Sequence, residues 1–180
     1  MFIQTQNTPN PNSLKFIPGK KVSNDGPLEI TDKGKSNNEL IRNILSINGV
    51  TGIFLAEDFL SVNKNQKTEW EDLKHIIISL INDYYSDGKE IVVDSNQTSS
   101  SEIGLSEIEN KIIKVLETKI RPAVARDGGD IKFKEYKDGI VTVQLQGSCS
   151  GCPSSTMTLK QGVHNLLCHY IPEIKEVITI

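Results

Sequence analysis

The sequence predicts an α+β protein built from two small α+β domains that are joined by a polar flexible linker. Apolar residues at helical spacing alternate along the chain with short runs of β-branched residues, which is typical of mixed structure. Residues 94–101 contain no large apolar side chain and show no periodicity, so they indicate a break between domains. We therefore expect domains at residues 1–93 and 105–180, with residues 94–104 as the linker.

The first domain is expected to contain short strands and two amphipathic helices. The second helix has the clearest apolar stripe in the chain, because its members recur every three or four residues. The stripe consists of Leu73, Ile76, Ile77, Leu80, Ile81 and Tyr84. The predicted elements are strands at 2–6 and 14–17, a loop at 20–35, a helix after a capping box at 36–39, a hairpin of strands 50–55 and 59–63, and a helix after a capping box at 68–71.

The second domain is expected to follow the order α-β-β-α-β. Ser106 and Glu109 form a third capping box, and Pro122 should kink or end the helix that follows, because proline has no amide proton to donate. Asp138-Gly139 is a strong signal for a two-residue hairpin turn. The remaining elements are strands at 131–136 and 140–146, a helix at 154–170 and a closing strand at 174–180.

Charge and motif content argue against several classes of protein. Residues 1–94 carry 10 Lys+Arg and 13 Asp+Glu, and residues 95–180 carry 10 of each, so neither half has the basic surface of a nucleic-acid-binding protein. No apolar run is long enough to span a membrane, and no signal or transit peptide is visible. There is no Ser/His/Asp set, Walker-type loop or Rossmann fingerprint, so we expect a protein that is not an enzyme.

One stretch carries side chains suited to chemistry. Cys149 and Cys152 lie in a glycine- and serine-rich turn, ahead of a helix expected to begin near Ser154. Free amides and the positive end of the helix dipole would then lie close to both sulfurs, so we expect the pKa of each thiol to be lowered. Three kinds of site fit this pair: a dithiol/disulfide couple, a zinc site and an iron–sulfur cluster.

A single chain has too few ligands to close a metal site around this turn. Zinc and the common clusters take four protein ligands, and the turn supplies two. Cys168 lies about 24 Å from Cys152 if the intervening residues are helical, and His164 and His169 lie on the same helix. Two chains related by a two-fold axis would provide four thiolates, so we expect a homodimer that shares one centre. Cys168 is expected to be a packing residue.

Four segments carry a resemblance to a known family. Residues 147–156 and the turn at 127–130 resemble the signature of the NifU-like C-terminal domain found in Nfu-type iron–sulfur scaffold proteins. Residues 8–16 and 49–54 resemble the Nfu N-terminal domain. The resemblance covers nearly all of the chain outside the linker. It implies a scaffold or carrier that hands a cluster to apo iron–sulfur proteins, with an upstream cluster scaffold as a further partner.

The resemblance also implies the site residues. Cys149 and Cys152 would be the iron ligands that bind a [4Fe-4S] cluster across a dimer, with [2Fe-2S] as the alternative. The residues alone leave a dithiol/disulfide oxidoreductase and a zinc-bridged interaction module as alternatives. Since no presequence is visible, we expect a bacterial cytoplasmic protein, with a mature mitochondrial protein as the second choice.

Overall fold

A computed structural model describes the backbone of residues 2–24, 26–91, 104–150 and 153–180, with the side chains of 153–155 left out. The chain divides into two compact units, residues 1–96 and 97–180. Helices and strands occur in both units, so the predicted α+β class is confirmed. Nearly all of the predicted linker at 94–104 lies outside the described residues, so its flexibility stays a prediction.

The first unit is an antiparallel sheet with two α-helices. Its elements are β1 (Gln4–Asn7), β2 (Ser13–Ile17), β3 (Leu28–Ile30), a 3₁₀-helix (Lys33–Lys35), α1 (Glu39–Leu45), β4 (Val50–Leu55), β5 (Leu60–Lys64) and α2 (Trp70–Ser86). The strand order is β1-β2-β5-β4-β3. The predicted hairpin of β4 and β5 is confirmed. The stretch 20–35, which we expected to be mostly loop, also contains β3, and this strand pairs with β4.

One hydrophobic core joins α1, α2 and the inner face of this sheet. From α2 it takes the row Leu73, Ile77, Ile81 and Tyr85, spaced four residues apart. The predicted apolar stripe is therefore present, but it lies on a slightly different face of α2, since Ile76 is 49% exposed. Tyr84 is only partly buried, because its hydroxyl donates to the Glu90 carbonyl at 2.8 Å.

The two helix starts of the first unit differ from the prediction. Asn38, not Ser36, caps α1, and its Oδ1 accepts from the Ile41 amide at 3.3 Å. α2 begins after Glu69 without a side-chain cap. Thr68 lies one residue before this cap position, and its hydroxyl donates to Asn65 Oδ1 at 2.9 Å. The Ser36 hydroxyl accepts from the Asn38 amide at 3.2 Å. Both predicted capping boxes are therefore wrong, and each hydroxyl takes part in a neighbouring turn.

The second unit has the predicted order α-β-β-α-β. Its elements are α3 (Glu107–Val115), a π-helical turn (Leu116–Ile120), α4 (Arg121–Arg126), β6 (Gly129–Lys137), β7 (Ile140–Gly147), α5 (Pro153–Tyr170) and β8 (Glu176–Thr179). β6 and β7 form the expected antiparallel hairpin, and its turn residues Asp138 and Gly139 have φ of 51° and 81°. β8 pairs parallel to β7, because α5 carries the chain back to the same end of the sheet.

The helix does not end at Pro122, so of the two predicted outcomes, a kink or an end, the end is wrong. The π-helical turn precedes the proline, and the Arg121 amide donates to the Leu116 carbonyl five residues back. This wider turn interrupts the α-helical ladder just before the residue that cannot donate to it, and helix resumes as far as Arg126.

No helix within the described ranges combines the length and the apolar character needed to cross a membrane.

Replacing Ser106 with alanine should lower the free energy of unfolding of the second unit by about 1 kcal/mol. The Ser106 hydroxyl accepts from the Glu109 amide at 3.3 Å, and Glu109 Oε2 accepts from the Ser106 amide at 2.8 Å, so the substitution breaks the capping box. Amide hydrogen exchange of β6 and β7 in the full chain measures the change. Ser46→Ala, at an exposed position after α1, is the control and should leave those amides unchanged. Equal protection in Ser106→Ala and the wild type would contradict the prediction.

Candidate functional site

The candidate site lies where β7 ends and α5 begins. Cys149 follows β7 by two residues, and Cys152 directly precedes Pro153, the first residue of α5. The expected placement of a cysteine pair ahead of a helix therefore matches the chain path. Gly151 and Cys152 lie outside the described residues, so the distance between the two sulfurs stays a prediction.

The backbone before Cys149 is fastened to the turn that precedes β6. Ser148 is 2% exposed, its amide donates to the Gly128 carbonyl at 3.2 Å, and its hydroxyl donates to the Asp127 carbonyl. Gly128 and Gly147 have φ of 82° and 67°, a left-handed conformation that favours glycine. These contacts join the glycine-rich turn at 127–130 to the cysteine turn, so each turn holds the other in place.

Two side-chain hydroxyl groups donate hydrogen bonds to backbone carbonyl groups around Cys149. The Ser150 hydroxyl donates to the Gly147 carbonyl at 2.9 Å, and the Thr156 hydroxyl donates to the Cys149 carbonyl at 3.3 Å. The Gly147 carbonyl also accepts from the Ser150 amide at 3.2 Å. These hydroxyl groups therefore help to set the shape of the turn.

The Cys149 sulfur packs against the first residue of β6. A Cβ atom added at Gly129 would lie 2.6 Å from Cys149 Sγ and 2.6 Å from the Gln146 carbonyl oxygen. Both distances are far below van der Waals contact, so only glycine fits at this position. Cys149 is 7% exposed and belongs to the hydrophobic core of the second unit.

Burial reverses the expected acidity of Cys149. Desolvation raises the pKa of its thiol to about 11, and the nearby charges of Asp127 and Asp130 act in the same direction. The Ser148 hydroxyl, 4.0 Å from the sulfur, acts in the opposite direction but offsets only part of this rise in pKa. The prediction of a lowered pKa is therefore wrong for Cys149, because the sulfur is buried against β6.

Sequence reasoning missed an ion pair beside this site. Asp130 is 4% exposed and accepts two hydrogen bonds from Arg121, from Nε at 2.8 Å and from Nη2 at 3.0 Å. The hydrogen bonds that this carboxylate accepts raise the pKa of Arg121. We expected a turn at 127–130, and the structure has a turn at 127–128, after which β6 already includes Asp130. The available signal was that a carboxylate at the start of a buried strand needs a cation nearby.

Cys168 lies at the far end of α5 and packs partly against the core of the second unit. Its thiol donates to the Ile174 carbonyl at 3.3 Å, and its sulfur lies 3.6 Å from His164 Nε2. His164 Nε2 also lies 3.1 Å from the Lys175 carbonyl oxygen, and a carbonyl can only accept, so this nitrogen carries the proton. Cys168 and His164 thus link α5 to the segment before β8.

Within the described part of the chain, no three His, Cys, Asp or Glu side chains lie close enough together to hold a metal ion. Cys152 is not in that part, so this finding concerns the surroundings of Cys149 and Cys168 only.

Comparison with known proteins finds relatives for both units. Residues 3–88 match the family described as "Scaffold protein Nfu/NifU N terminal", and residues 112–178 match the family described as "NifU-like domain". The chain is 44% identical to "NFU1 iron-sulfur cluster scaffold homolog, mitochondrial" of Homo sapiens, over 98% of this chain and 71% of that protein. It is 42% identical to "NifU-like protein 4, mitochondrial" of Arabidopsis thaliana, over 98% of this chain and 65% of that protein. The chain thus spans about two thirds of the length of these relatives.

Replacing Gly129 with alanine should destabilise the second unit by about 1–3 kcal/mol, because the new methyl group would overlap Cys149 Sγ and a carbonyl oxygen. Gly162→Ala is the matched control. Gly162 lies in α5 with no atom within 4 Å of an added Cβ, so this change should stabilise the unit by about 1 kcal/mol. Hydrogen exchange of β6 and β7 amides reports both. Equal stability of the two variants would show that the close approach is absent.

Alkylation of Cys149 should depend on pH as expected for a buried thiol. In a chain carrying Cys152→Ser and Cys168→Ser, only thiolate reacts, so the rate should rise about tenfold per pH unit and level off near pH 11. The same chain unfolded in guanidinium should level off near the ordinary cysteine value, about 8.5. A folded-state plateau below the unfolded one would contradict the raised pKa.

Proposed function

Because this chain belongs to the family of Nfu-type iron–sulfur cluster scaffold proteins, we propose that it carries a [4Fe-4S] cluster on a homodimer and transfers it to apo iron–sulfur proteins. The cluster is the cargo of this function, and the protein acts as a carrier without catalysing a reaction of its own. The proposal rests on one observation: the NifU-like region contains a cysteine pair at the junction of β7 and α5.

The number of cysteines supports a shared cluster. Thiolate sulfur is the usual protein ligand of iron in such clusters, and four are needed. Cys149 and Cys152 provide two, while Cys168 is engaged with the Ile174 carbonyl at the other end of α5. Two copies of the chain provide four equivalent thiolates around a two-fold axis. The dimer is thus part of the proposed site.

The burial of Cys149 suggests how the cluster could remain transferable. Ligation requires the sulfur to leave its place against Gly129, which removes a core contact and costs free energy. Release to a recipient lets the side chain return to the core. We therefore propose that the carrier binds its cluster less tightly than a permanent site would, because the empty carrier recovers this packing.

The same geometry argues against Cys149 as the attacking cysteine of a dithiol/disulfide oxidoreductase. An attacking cysteine in that class is exposed and has a lowered pKa. Cys149 is 7% exposed and its pKa is raised to about 11. In that alternative function the attacking thiol would therefore have to be Cys152.

The names of the relatives bear on the cellular compartment in which this protein acts. Those at 44% and 42% identity are both named as mitochondrial proteins. They give no support to the bacterial cytoplasm that we expected from the sequence, and they favour the mitochondrial alternative. We propose apo iron–sulfur proteins as recipients and an upstream scaffold as the donor in that compartment.

Substituting either member of the cysteine pair should abolish cluster binding. After anaerobic reconstitution with iron and sulfide, the wild type should hold about four iron and four sulfide per dimer. Cys149→Ser and Cys152→Ser should hold almost none and remain folded. Cys168→Ser is the matched control and should bind as the wild type does, because Cys168 lies at the other end of α5.

Iron and sulfide analysis, visible absorption and oligomeric mass together test this assignment. About two iron and two sulfide per dimer would indicate a [2Fe-2S] cluster. Bound zinc without sulfide would refute the carrier and indicate a zinc-bridged interaction module. Full cluster content in both Cys149→Ser and Cys152→Ser would refute the proposed ligands.

A further inference from the structure

The ion pair of Arg121 and Asp130 lies one residue from the position that receives the Cys149 sulfur. Asp130 follows Gly129 in β6, and its side chain is 6% exposed. Two hydrogen bonds, at 2.8 Å and 3.0 Å, join its two carboxylate oxygens to Nε and Nη2 of Arg121. Such a two-point contact fixes the direction as well as the distance between two groups.

The pair connects a helix to the strand beneath the cysteine turn. Arg121 is the first residue of α4, where the π-helical turn ends. In β6, Gly129 pairs with Gly147 and Asp130 pairs with Gln146. The guanidinium group therefore holds the first residues of β6, and these lie against the end of β7 from which the cysteine turn emerges.

Other charged groups near the pair do not substitute for it. Glu117 approaches Arg121 Nη1 at 3.8 Å, but its side chain is 57% exposed, so this contact is weak. Asp127 lies on the adjoining turn, where its carbonyl accepts from the Ser148 hydroxyl. Arg121 is the only cation that an ion-pair contact places against Asp130 in the described part of the chain. Removing it would leave a buried carboxylate without its counter-charge.

We propose that Arg121 is a positioning residue for Cys149, acting through Asp130 and Gly129. The hydrogen-bonded pair holds the start of β6 in place, and this strand start supports the backbone from which Cys149 projects. When the pair is broken, Asp130 moves toward water, the support against the sulfur is lost, and Cys149 becomes accessible. The part of this inference that concerns cluster retention rests on the proposed carrier function. The part that concerns the packing of Cys149 is independent of that function.

The packing is tested by alkylation of the full chain followed by mass spectrometry of each cysteine-containing peptide. Arg121→Met should raise the alkylation rate of Cys149 about tenfold, in line with the loss of hydrogen bonds to a buried charge. The rate of Cys168, in the same unit but at the far end of α5, should stay within about twofold of wild type. General destabilisation would raise both rates together, so an equal rise overturns the positioning role, as does no rise.

Two further variants sharpen the result. Arg121→Lys keeps the charge but offers no two-point contact, so it should give an intermediate Cys149 rate. Lys111→Met is the control, because Lys111 pairs with the exposed Glu107 on α3, and it should match the wild type. A Cys149 rate in Arg121→Lys equal to wild type would show that charge alone suffices and would contradict the geometric role.

The reconstituted dimer provides the second measurement. Arg121→Met should lose its visible cluster signal to a thiol-containing chelator about three to ten times more slowly than the wild type, because the empty carrier no longer recovers the full packing of Cys149. If the wild type binds no cluster, the proposed function fails, and the alkylation rates still decide the packing role. If the wild type binds a cluster and Arg121→Met retains it no longer than the wild type does, the inference about retention is refuted.

Discussion

The contact between the Cys149 sulfur and the backbone of Gly129 determines the arrangement of the second unit around its site. Because a Cβ at Gly129 would lie 2.6 Å from the sulfur, the start of β6 and the cysteine turn occupy one continuous packed region. The ion pair of Arg121 and Asp130 then fixes β6, and the Ser148 hydroxyl fixes the turn. Acidity, exposure and ligand availability of Cys149 all follow from that one contact.

Sequence reasoning succeeded where the signal is local and has no competitor. Asp138-Gly139 specifies its hairpin turn through left-handed backbone conformations that few other residue pairs adopt. The capping box of Ser106 forms as predicted, and its hydroxyl accepts from the Glu109 amide. The capping box predicted at Thr68 does not form, and the Thr68 hydroxyl donates to Asn65 Oδ1 in the preceding turn. A local motif is therefore informative to the extent that its polar atoms have no better partner nearby.

The site was predictable in position but not in environment. Spacing and turn composition place Cys149 and Cys152 ahead of a helix, and the chain follows that path. The helix dipole then argued for an acidic thiol, whereas the pKa of Cys149 is raised because desolvation outweighs it. Burial depends on β6, and its contact with the turn is set by tertiary packing. The link from Arg121 to Asp130 was hidden for the same reason, since it depends on how α4 packs beside β6.

Two features of the cysteine pair affect how tightly a cluster would be bound. One chain supplies only two ligands, and Cys149 is buried. A permanent centre is surrounded by four preorganised ligands and recovers nothing by opening. Here each copy would supply two sulfurs, and Cys149 has an alternative place in the core. In the proposed dimer, each loss of cluster would restore that packing in both copies, so the free energy gained on ligation would be offset twice. The small number of ligands per chain and the burial of Cys149 would therefore act in the same direction, toward a cluster that the proposed carrier holds and then gives up.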